Sequence, residues 1–270
     1  MKCMIQNAFR AATLGCALAM SGVFATDATA MEPVTAELRP GWRLPNGDHM
    51  AALHLTLAPG WKTYWRAPGD AGIPPVFDWS ASDNVADVAA LWPTPHVFRQ
   101  SGARSVGYKG ELVLPLRVAA TGGPVTLEAN MLIGVCSDIC VPQELHVRAM
   151  LPDSSSVDPV IAAALAEAPF TASEANVGKV QCSISPAKGG MVLRTEIDMP
   201  SAGGQEELVV EAGQPEIWAS EPKTRREGGK LVSKTKLMHM EGKPFALDRS
   251  KLRITVLGAQ HAVDIHGCSS

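Results

Sequence analysis

The β character of the chain is clearest in residues 125–151, VTLEANMLIGVCSDICVPQELHVRAML. In its second part Leu145, Val147 and Ala149 alternate with polar or charged neighbours, which is typical of a strand with one buried face. A short turn with Cys136 and Cys140 separates this strand from the apolar run before it. Opposed Cα atoms at the end of an antiparallel pair lie about 4.5–5.5 Å apart, a distance that a disulfide can span. The sequence therefore predicts a hairpin whose two cysteines can bond without a large movement of the backbone.

Residues 1–30 are expected to form a signal peptide. Lys2 and Arg10 are basic, residues 11–25 are apolar, and Ala28-Thr29-Ala30 is a small-residue cleavage pattern. The apolar run is shorter than the roughly 20 residues that a membrane helix needs. We therefore expect a soluble protein exported to the periplasm, an oxidising compartment in which disulfides persist.

Four cysteines remain after residue 30, and they allow three pairings. A bridge from Cys136 to Cys140 closes so short a loop that chain entropy contributes only about 2 kcal/mol, whereas a bridge from Cys182 to Cys268 contributes about 4.6 kcal/mol. We expect the second bridge to be structural. Stability does not account well for the first, which suits a bond that opens and closes without unfolding the domain.

The rest of the chain predicts an all-β protein of two β-sandwich modules. It contains 24 Gly and 20 Pro among short β-like runs. The modules are expected at residues 31–152 and 177–270, joined by a short helical connector within 153–176. Asp158 is the expected helix cap, Pro159 lies in the first turn, and the helix is predicted over residues 160–168.

Alternating or apolar runs give the individual strands, and one long interval lacks them. Further strands are predicted at residues 53–57, 76–79, 85–91, 112–118, 179–185, 193–198, 251–256 and 262–266. Residues 92–110 are expected to be irregular, and irregular stretches of that length in compact domains are often functional.

The spacing of Cys136 and Cys140 is compatible with three roles: dithiol–disulfide exchange, an inert staple, and a metal site. In an exchange site, Asp138 between the cysteines would raise a thiol pKa by like-charge repulsion. A copper site would need softer ligands such as His96, His146 or the Met238-His239-Met240 run, but surface positions explain each of these histidines better.

Aromatic residues cluster at Trp61, Tyr64 and Trp65, which either dock a partner or belong to the core. The hydrolase motifs Gly-x-Ser-x-Gly and His-Glu-x-x-His are absent from the sequence, as is a glycine-rich phosphate loop. A formal net charge of −3 gives no reason to expect nucleic acid or an anionic membrane as a partner.

Three segments resemble the amino-terminal periplasmic domain of the DsbD family of thiol:disulfide interchange proteins, in particular its copper-sensitivity-suppressor branch. They are GWKTYWRAPGDAGIPP at 60–75, GYKGELVLPL at 107–116 and CSDICVP at 136–142. The resemblance is strong over residues 35–150 and looser beyond them. It implies immunoglobulin-like sandwiches whose cysteine pair receives electrons from a membrane protein and passes them to exported thiol proteins.

The resemblance also implies roles for single residues. Cys136 and Cys140 take the positions of the redox pair, and Cys140 matches the cysteine that forms mixed disulfides. The family covers its pair with a cap loop that bears an aromatic side chain, and Phe98 is the nearest match. Tyr64 and Trp65 are the other candidates for capping or docking.

This chain departs from the family in two ways. Its cysteines are closer together than in the best-known enterobacterial members, and neither membrane helices nor a thioredoxin-like domain follow the modules. We therefore expect a component of a protein-disulfide reductase without an organic cofactor or metal. Its expected partners are a separate membrane electron-transfer protein of the DsbD/CcdA type and periplasmic thioredoxin-like proteins. The alternative is a periplasmic copper-binding chaperone or a non-catalytic scaffold of a membrane redox complex.

Overall fold

The computed structural model describes residues 32–100 and 102–269. The expected signal peptide lies outside these residues. The described part contains nineteen strands, one α-helix and one short 3₁₀ turn. In the amino-terminal half the strands are β1 (Val34–Arg43), β2 (His49–Leu57), β3 (Lys62–Tyr64), β4 (Val76–Asp78), β5 (Val85–Ala90), β6 (His96–Gln100), β7 (Ala103–Lys109), β8 (Glu111–Ala120), β9 (Val125–Cys136) and β10 (Cys140–Leu151).

The carboxy-terminal half begins with helix α1 (Pro159–Ala166). Its strands are β11 (Phe170–Thr171), β12 (Val180–Ala187), β13 (Gly190–Asp198), β14 (Glu207–Glu211), β15 (Ile217–Ala219), β16 (Lys223–Glu227), β17 (Lys230–His239), β18 (Arg253–Leu257) and β19 (Ala262–His266). Within both described ranges, no helix combines the length and the hydropathy needed to cross a bilayer.

Two sheets form the amino-terminal half. One has the strand order β1-β2-β8-β5, and the other has the order β10-β9-β3-β7-β6 with β4 paired to β9. Apolar side chains from both sheets meet in one core, as in a β-sandwich. The alternation predicted from the sequence is confirmed on β10, where Val147 is buried and Leu145 and Ala149 are half-buried between exposed neighbours.

The carboxy-terminal half also buries its core between two sheets. Their strand orders are β11-β19-β18-β14 and β12-β13-β17-β15, and β16 also pairs with β17. Leu193, Ile197 and Ile254 are completely buried, as their alternation with charged neighbours predicts. The all-β prediction is therefore confirmed.

Helix α1 lies where the sequence predicts a helix, and it ends two residues earlier than expected. Asp158 is the N-cap, and its carboxylate accepts hydrogen bonds from the backbone N–H groups of Val160 (2.8 Å) and Ile161 (3.3 Å). The guanidinium of Arg39 donates to the same carboxylate at 2.8 and 3.1 Å. Ile161 packs with Trp42 and other residues of a small apolar cluster, so the helix is attached to the β1–β2 region.

The prediction of an irregular segment at residues 92–110 is wrong. The segment contains β6 and β7, which pair as a hairpin. Arg104 and Ser105 are buried in β7 although both are polar. Their partners, Glu207 for Arg104 and Lys62 for Ser105, are distant in sequence, so a hydropathy pattern alone does not indicate that these positions are buried.

Candidate functional site

Cys136 is the last residue of β9 and Cys140 is the first residue of β10. The two cysteines face each other in the register of this antiparallel pair, with Cα atoms 4.0 Å apart, and their sulfurs are bonded. The turn between them is closed by a hydrogen bond from the N–H of Ser137 to the carbonyl oxygen of Ile139, at 3.2 Å. Each cysteine is thus held by a twelve-residue strand that is paired along its whole length.

The two sulfur-bearing residues differ in exposure. Cys136 is only 4 % exposed, whereas Cys140 is exposed together with Asp138 and Ile139 of the turn. Thiol–disulfide exchange requires an in-coming thiolate to reach one sulfur of the bond. In this geometry the residue with the accessible position is Cys140, and Cys136 is the buried one.

Tyr64 of β3 lies beneath the pair. Its hydroxyl is 3.1 Å from Cys140 Sγ and 3.4 Å from the carbonyl oxygen of Ala71. Burial raises the pKa of Tyr64 above its usual value, so the hydroxyl keeps its proton and remains a donor. The side chain can therefore donate a hydrogen bond to the sulfur of Cys140.

A glycine allows Tyr64 to reach this position. Gly134 lies two residues before Cys136 on β9, and a Cβ atom at position 134 would lie 2.6 Å from Cβ of Ile73 and 2.7 Å from the Tyr64 ring. Any larger residue would have to displace both side chains. The motif of residues 60–75 thus supplies the tyrosine and also Ile73, which covers the strand beside the pair.

Lys62 is the other polar side chain near the pair. It faces Cys136 in the register between β3 and β9 and is only 6 % exposed. Its ammonium donates to Oε1 of Gln100 (3.1 Å) and to Oγ of Ser105 (3.3 Å), and Nε2 of Gln100 donates to the carbonyl oxygen of Ser137 (3.1 Å). A chain of hydrogen bonds therefore connects this buried ammonium to the turn between the cysteines.

The aromatic candidates occupy different environments. Phe98 is half-buried in β6, and its ring centroid lies 5.5 Å from Nζ of Lys62 and 4.9 Å from Nζ of Lys109. Trp65 is completely buried in the core of the amino-terminal half. The interpretation of Trp65 as a docking residue is therefore wrong, because a partner cannot reach its ring in the folded protein.

Cys182 and Cys268 are also bonded, with Cα atoms 5.8 Å apart. Cys182 lies in β12, and Cys268 lies just after β19. The backbone around the bond is paired as well, since the N–H of Cys182 donates to the carbonyl of Ser269 and the N–H of Ser269 donates to the carbonyl of Val180. The bond thus joins the first long strand of the carboxy-terminal half to the end of its last strand.

The residues considered as copper ligands lie apart from one another. Nε2 of His146 is 2.9 Å from Glu128 Oε1, His96 packs near Phe98, and Nδ1 of His239 accepts the N–H of Glu241. In the ranges 32–100 and 102–269, no three side chains of His, Cys, Asp or Glu are grouped so that they could hold a metal ion.

Sequence reasoning missed Lys62 and Gln100. Lys62 lies inside the quoted motif of residues 60–75, and strand periodicity alone places it on the same face as Tyr64. Gln100 lies in the interval that was expected to be irregular, so its contact with the cysteine turn could not be inferred without the β6–β7 hairpin.

Comparisons with known proteins give one family match, in the amino-terminal half. The family model described as "Thiol:disulfide interchange protein DsbD, N-terminal" matches residues 28–152. The solved N-terminal periplasmic domain of ScsB from Proteus mirabilis is similar in fold, with a TM-score of 0.68 and 21 % identity over 88 % of this chain and 92 % of that chain. No curated protein matches the chain. Residues 28–152 therefore match the family model of DsbD amino-terminal domains.

Proposed function

We propose that this protein relays reducing equivalents between thiol proteins through reversible opening of the Cys136–Cys140 disulfide. The observation that carries the proposal is the pair itself: two cysteines facing each other at the end of a long hairpin, one exposed and one buried, with the Tyr64 hydroxyl beside the exposed sulfur. The match of residues 28–152 to a thiol:disulfide interchange family supports the same chemistry.

The exchange proceeds in two balanced steps in each direction. During reduction of the protein, a partner thiolate attacks Cys140 Sγ, the Cys136–Cys140 bond breaks, and Cys136 leaves as a thiolate. The partner's second thiol then attacks the mixed disulfide, which releases the thiolate of Cys140 and leaves the partner oxidised. During the return step, in which the protein is oxidised again, the thiolate of Cys140 attacks the disulfide of the next protein. Cys136 then attacks the mixed disulfide and releases that protein in its reduced form.

The framework around the pair suits a bond that opens repeatedly. The register pairs from Val125 with Leu151 to Cys136 with Cys140 do not depend on the sulfur–sulfur bond. A loop of about five residues gives only about 2 kcal/mol of chain-entropy stabilisation. Opening the bond therefore leaves the hairpin and the core beneath it in place.

The partners and the location follow from the same proposal. Electrons come from a separate membrane protein of the DsbD/CcdA type and pass to periplasmic thioredoxin-like proteins. Residues 1–30 are a signal peptide that directs export, and the protein works in the periplasm, as the name of the similar ScsB domain says of that domain. No organic cofactor takes part, because both electrons move with the sulfur–sulfur bond.

We further propose that residues 31–152 and 177–270 are two immunoglobulin-like modules and that residues 153–176, with α1, form the connector. The first module carries the redox pair. The second is closed by the Cys182–Cys268 bond, which is structural. Tyr64 is the docking and positioning candidate next to Cys140, and Phe98 caps the pair from β6.

Covalent trapping in the native host tests the proposal. In a Cys136→Ser variant, Cys140 cannot be released from a mixed disulfide, so a thioredoxin-like or membrane thiol protein should be recovered on it. Cys140→Ser is the matched control and should yield no adduct, since Cys136 is buried. Recovery of equal adducts from both variants, or of none from either, would reject the proposed roles.

A further inference from the structure

We propose that the ammonium of Lys62, held at the redox turn by Gln100, stabilises the thiolate form of Cys136 whenever the Cys136–Cys140 bond is open. This inference rests on the proposed exchange function and adds a positioning residue to it. Lys62 does not touch a partner. It acts on the buried sulfur, which is the leaving group in one direction and the attacking group in the other.

Lys62 lies opposite the buried cysteine of the pair. In the antiparallel pair β3–β9 it directly faces Cys136, and side chains that face each other across such a pair lie on the same side of the sheet with Cβ atoms about 5 Å apart. Cys136 Sγ is 3.7 Å from the carbonyl oxygen of Ser137, and Gln100 Nε2 donates to that same oxygen. Gln100 Oε1 accepts from the Lys62 ammonium, so the ammonium reaches the neighbourhood of the sulfur through a single side chain.

Within the described residues, the positive charge of Lys62 is not balanced by a carboxylate within 4.0 Å. Both of its hydrogen-bond partners, Gln100 and Ser105, are neutral. In the described part of the chain, only Lys230 and Lys243 among the lysines lie within 4.0 Å of a carboxylate oxygen. A buried cation without an anion is costly, and the thiolate of Cys136 would supply the missing anion in the reduced protein.

The groups around Lys62 leave its charge without compensation. Burial, and then the charge of Lys109 on β7, lower the pKa of Lys62. Both ammonium groups lie over the ring of Phe98 on β6, where the neighbouring His96 is exposed. Asp138 in the turn is exposed, so solvent screens its charge more than that of the buried lysine. The balance at the buried sulfur is therefore positive.

Different side chains therefore influence the two cysteine sulfurs. Asp138 and Tyr64 act on the exposed sulfur of Cys140, whereas Lys62 acts on the buried sulfur of Cys136. An opposite charge close to an ionisable group lowers its pKa by about 1–3 units. Lys62 thereby keeps Cys136 reactive even though burial alone would hold it as an unreactive thiol.

An aryl disulfide separates the two sulfurs kinetically. Reduced protein, with the Cys182–Cys268 bond left intact as checked by mass, is mixed with dithiobis(nitrobenzoate). Cys140 attacks and releases one thionitrobenzoate, and Cys136 then attacks Cys140 Sγ and releases the second. The first phase reports Cys140 and the second reports the thiolate of Cys136.

We expect Lys62→Met to slow the second phase and to leave the first within about twofold. The pH midpoint of the second phase should rise by about one unit or more in this variant. At about pH 6 the second phase should slow only about threefold for each unit of that rise, because the smaller thiolate fraction is partly offset by the higher nucleophilicity of a more basic thiolate. Lys62→Arg should keep the wild-type midpoint. Lys109→Met, which removes the other ammonium beside Phe98, is the matched control and should change the midpoint much less.

An unchanged second phase in a folded Lys62→Met variant would overturn the inference. If that variant does not fold, the test uses the wild-type protein. A pH midpoint of its second phase at or above the ordinary cysteine pKa of about 8.5 would also overturn the inference. Neither result affects the exchange function, which fails separately if Cys140 releases no thionitrobenzoate in the first phase.

Discussion

Tyr64 combines two properties that are rarely found in one side chain: its ring is buried, yet its hydroxyl lies 3.1 Å from the sulfur of an exposed cysteine. A donor at this distance favours the thiolate of Cys140 over the thiol. Because burial raises the pKa of Tyr64, the donor persists over the whole range in which cysteines titrate. Under the proposed function, Tyr64 prepares Cys140 for attack without being consumed in the exchange.

Tyr64→Phe should slow the attack of Cys140 on an aryl disulfide by about two- to tenfold, as expected for one lost hydrogen bond. Tyr108 is the other tyrosine of the chain and provides the matched control. Its buried hydroxyl donates to the carbonyl of Pro93 at 2.8 Å, so Tyr108→Phe should lower the free energy of unfolding by about 1 kcal/mol and leave the attack rate unchanged. Equal attack rates in the wild type and the Tyr64→Phe variant would show that the hydroxyl does not assist Cys140.

Helix α1 is the element whose start depends most on one side chain. The carboxylate of Asp158 caps two backbone N–H groups and also binds Arg39. Burial raises the pKa of Asp158, but the hydrogen bonds from Arg39 and from the helix N–H groups outweigh it, so the net pKa lies below the usual value. A depressed folded-state pKa contributes stability that is present above the unfolded value, near pH 4, and is lost as the pH falls through the folded value.

Asp158→Ala should lower the free energy of unfolding at neutral pH by about 1–2 kcal/mol, which is the cost of losing a helix cap. Urea unfolding at several pH values should show this difference shrinking as the pH falls below about 4, because the unfolded chain then binds a proton at Asp158 that the folded carboxylate takes up only at lower pH. Asp153→Ala removes a more exposed carboxylate that pairs with Arg43 and should change stability by less than about 0.5 kcal/mol. A difference that does not depend on pH would contradict the assigned role of the Asp158 charge.

The two disulfides should contribute differently to stability, because they close loops of very different length. Replacing Cys182 and Cys268 by alanine should lower the free energy of unfolding by about 4–5 kcal/mol, whereas the same replacement of Cys136 and Cys140 should lower it by about 2 kcal/mol. Urea denaturation of both double variants gives the comparison. A larger loss from the Cys136/Cys140 variant would mean that this bond stabilises the fold more than exchange chemistry allows.

Across the whole molecule, the two halves are joined by buried charged groups. Arg104 of β7 donates to Glu207 Oε2 at 2.7 Å and to the carbonyl of Leu208, and Arg66 binds both carboxylate oxygens of Glu211. The guanidinium of Arg66 also stacks on the Trp65 ring, 3.8 Å from its centroid. Strand β7, which pairs with β3, and the residues just after β3 thus carry contacts to the carboxy-terminal half.

Arg104→Met should lower the free energy of unfolding by about 2–4 kcal/mol, because it leaves Glu207 poorly solvated and with weaker pairing. The Arg104 side chain is 4 % exposed and that of Glu207 is 17 % exposed. Arg225→Met breaks an exposed pair with Glu227 and should cost less than about 1 kcal/mol. Similar losses in the two variants would contradict the structural importance of the Arg104 contact.

The sequence predicts those features that depend on neighbours along the chain. The alternation of Leu193 and Ile197, the Asp158 cap and the position of the two cysteines across a turn are local patterns, and the strands, helix and hairpin appear where these patterns indicate. The β6–β7 hairpin could not be predicted in this way. Its buried Arg104 and Ser105 are satisfied by side chains that only the folded chain brings near.

The same limit applies to the candidate site. The cysteine pair and Tyr64 lie in recognisable motifs, but the connection from Lys62 through Gln100 to the turn spans three strands that are not consecutive in the sequence. For Trp65 the sequence leaves both docking and a core position open, and its complete burial places it in the core.

The proposed function requires the Cys136–Cys140 bond to open while the protein stays folded. The protein is equilibrated with mixtures of reduced and oxidised dithiothreitol, its free thiols are alkylated, and mass spectrometry of peptides reads the state of all four cysteines while near-ultraviolet circular dichroism monitors the fold. We predict that Cys136 and Cys140 become alkylated together in one two-electron transition, with Cys182–Cys268 still bonded and the dichroism signal unchanged. A Cys136–Cys140 bond that stays closed until the signal is lost would contradict the function proposed for this protein.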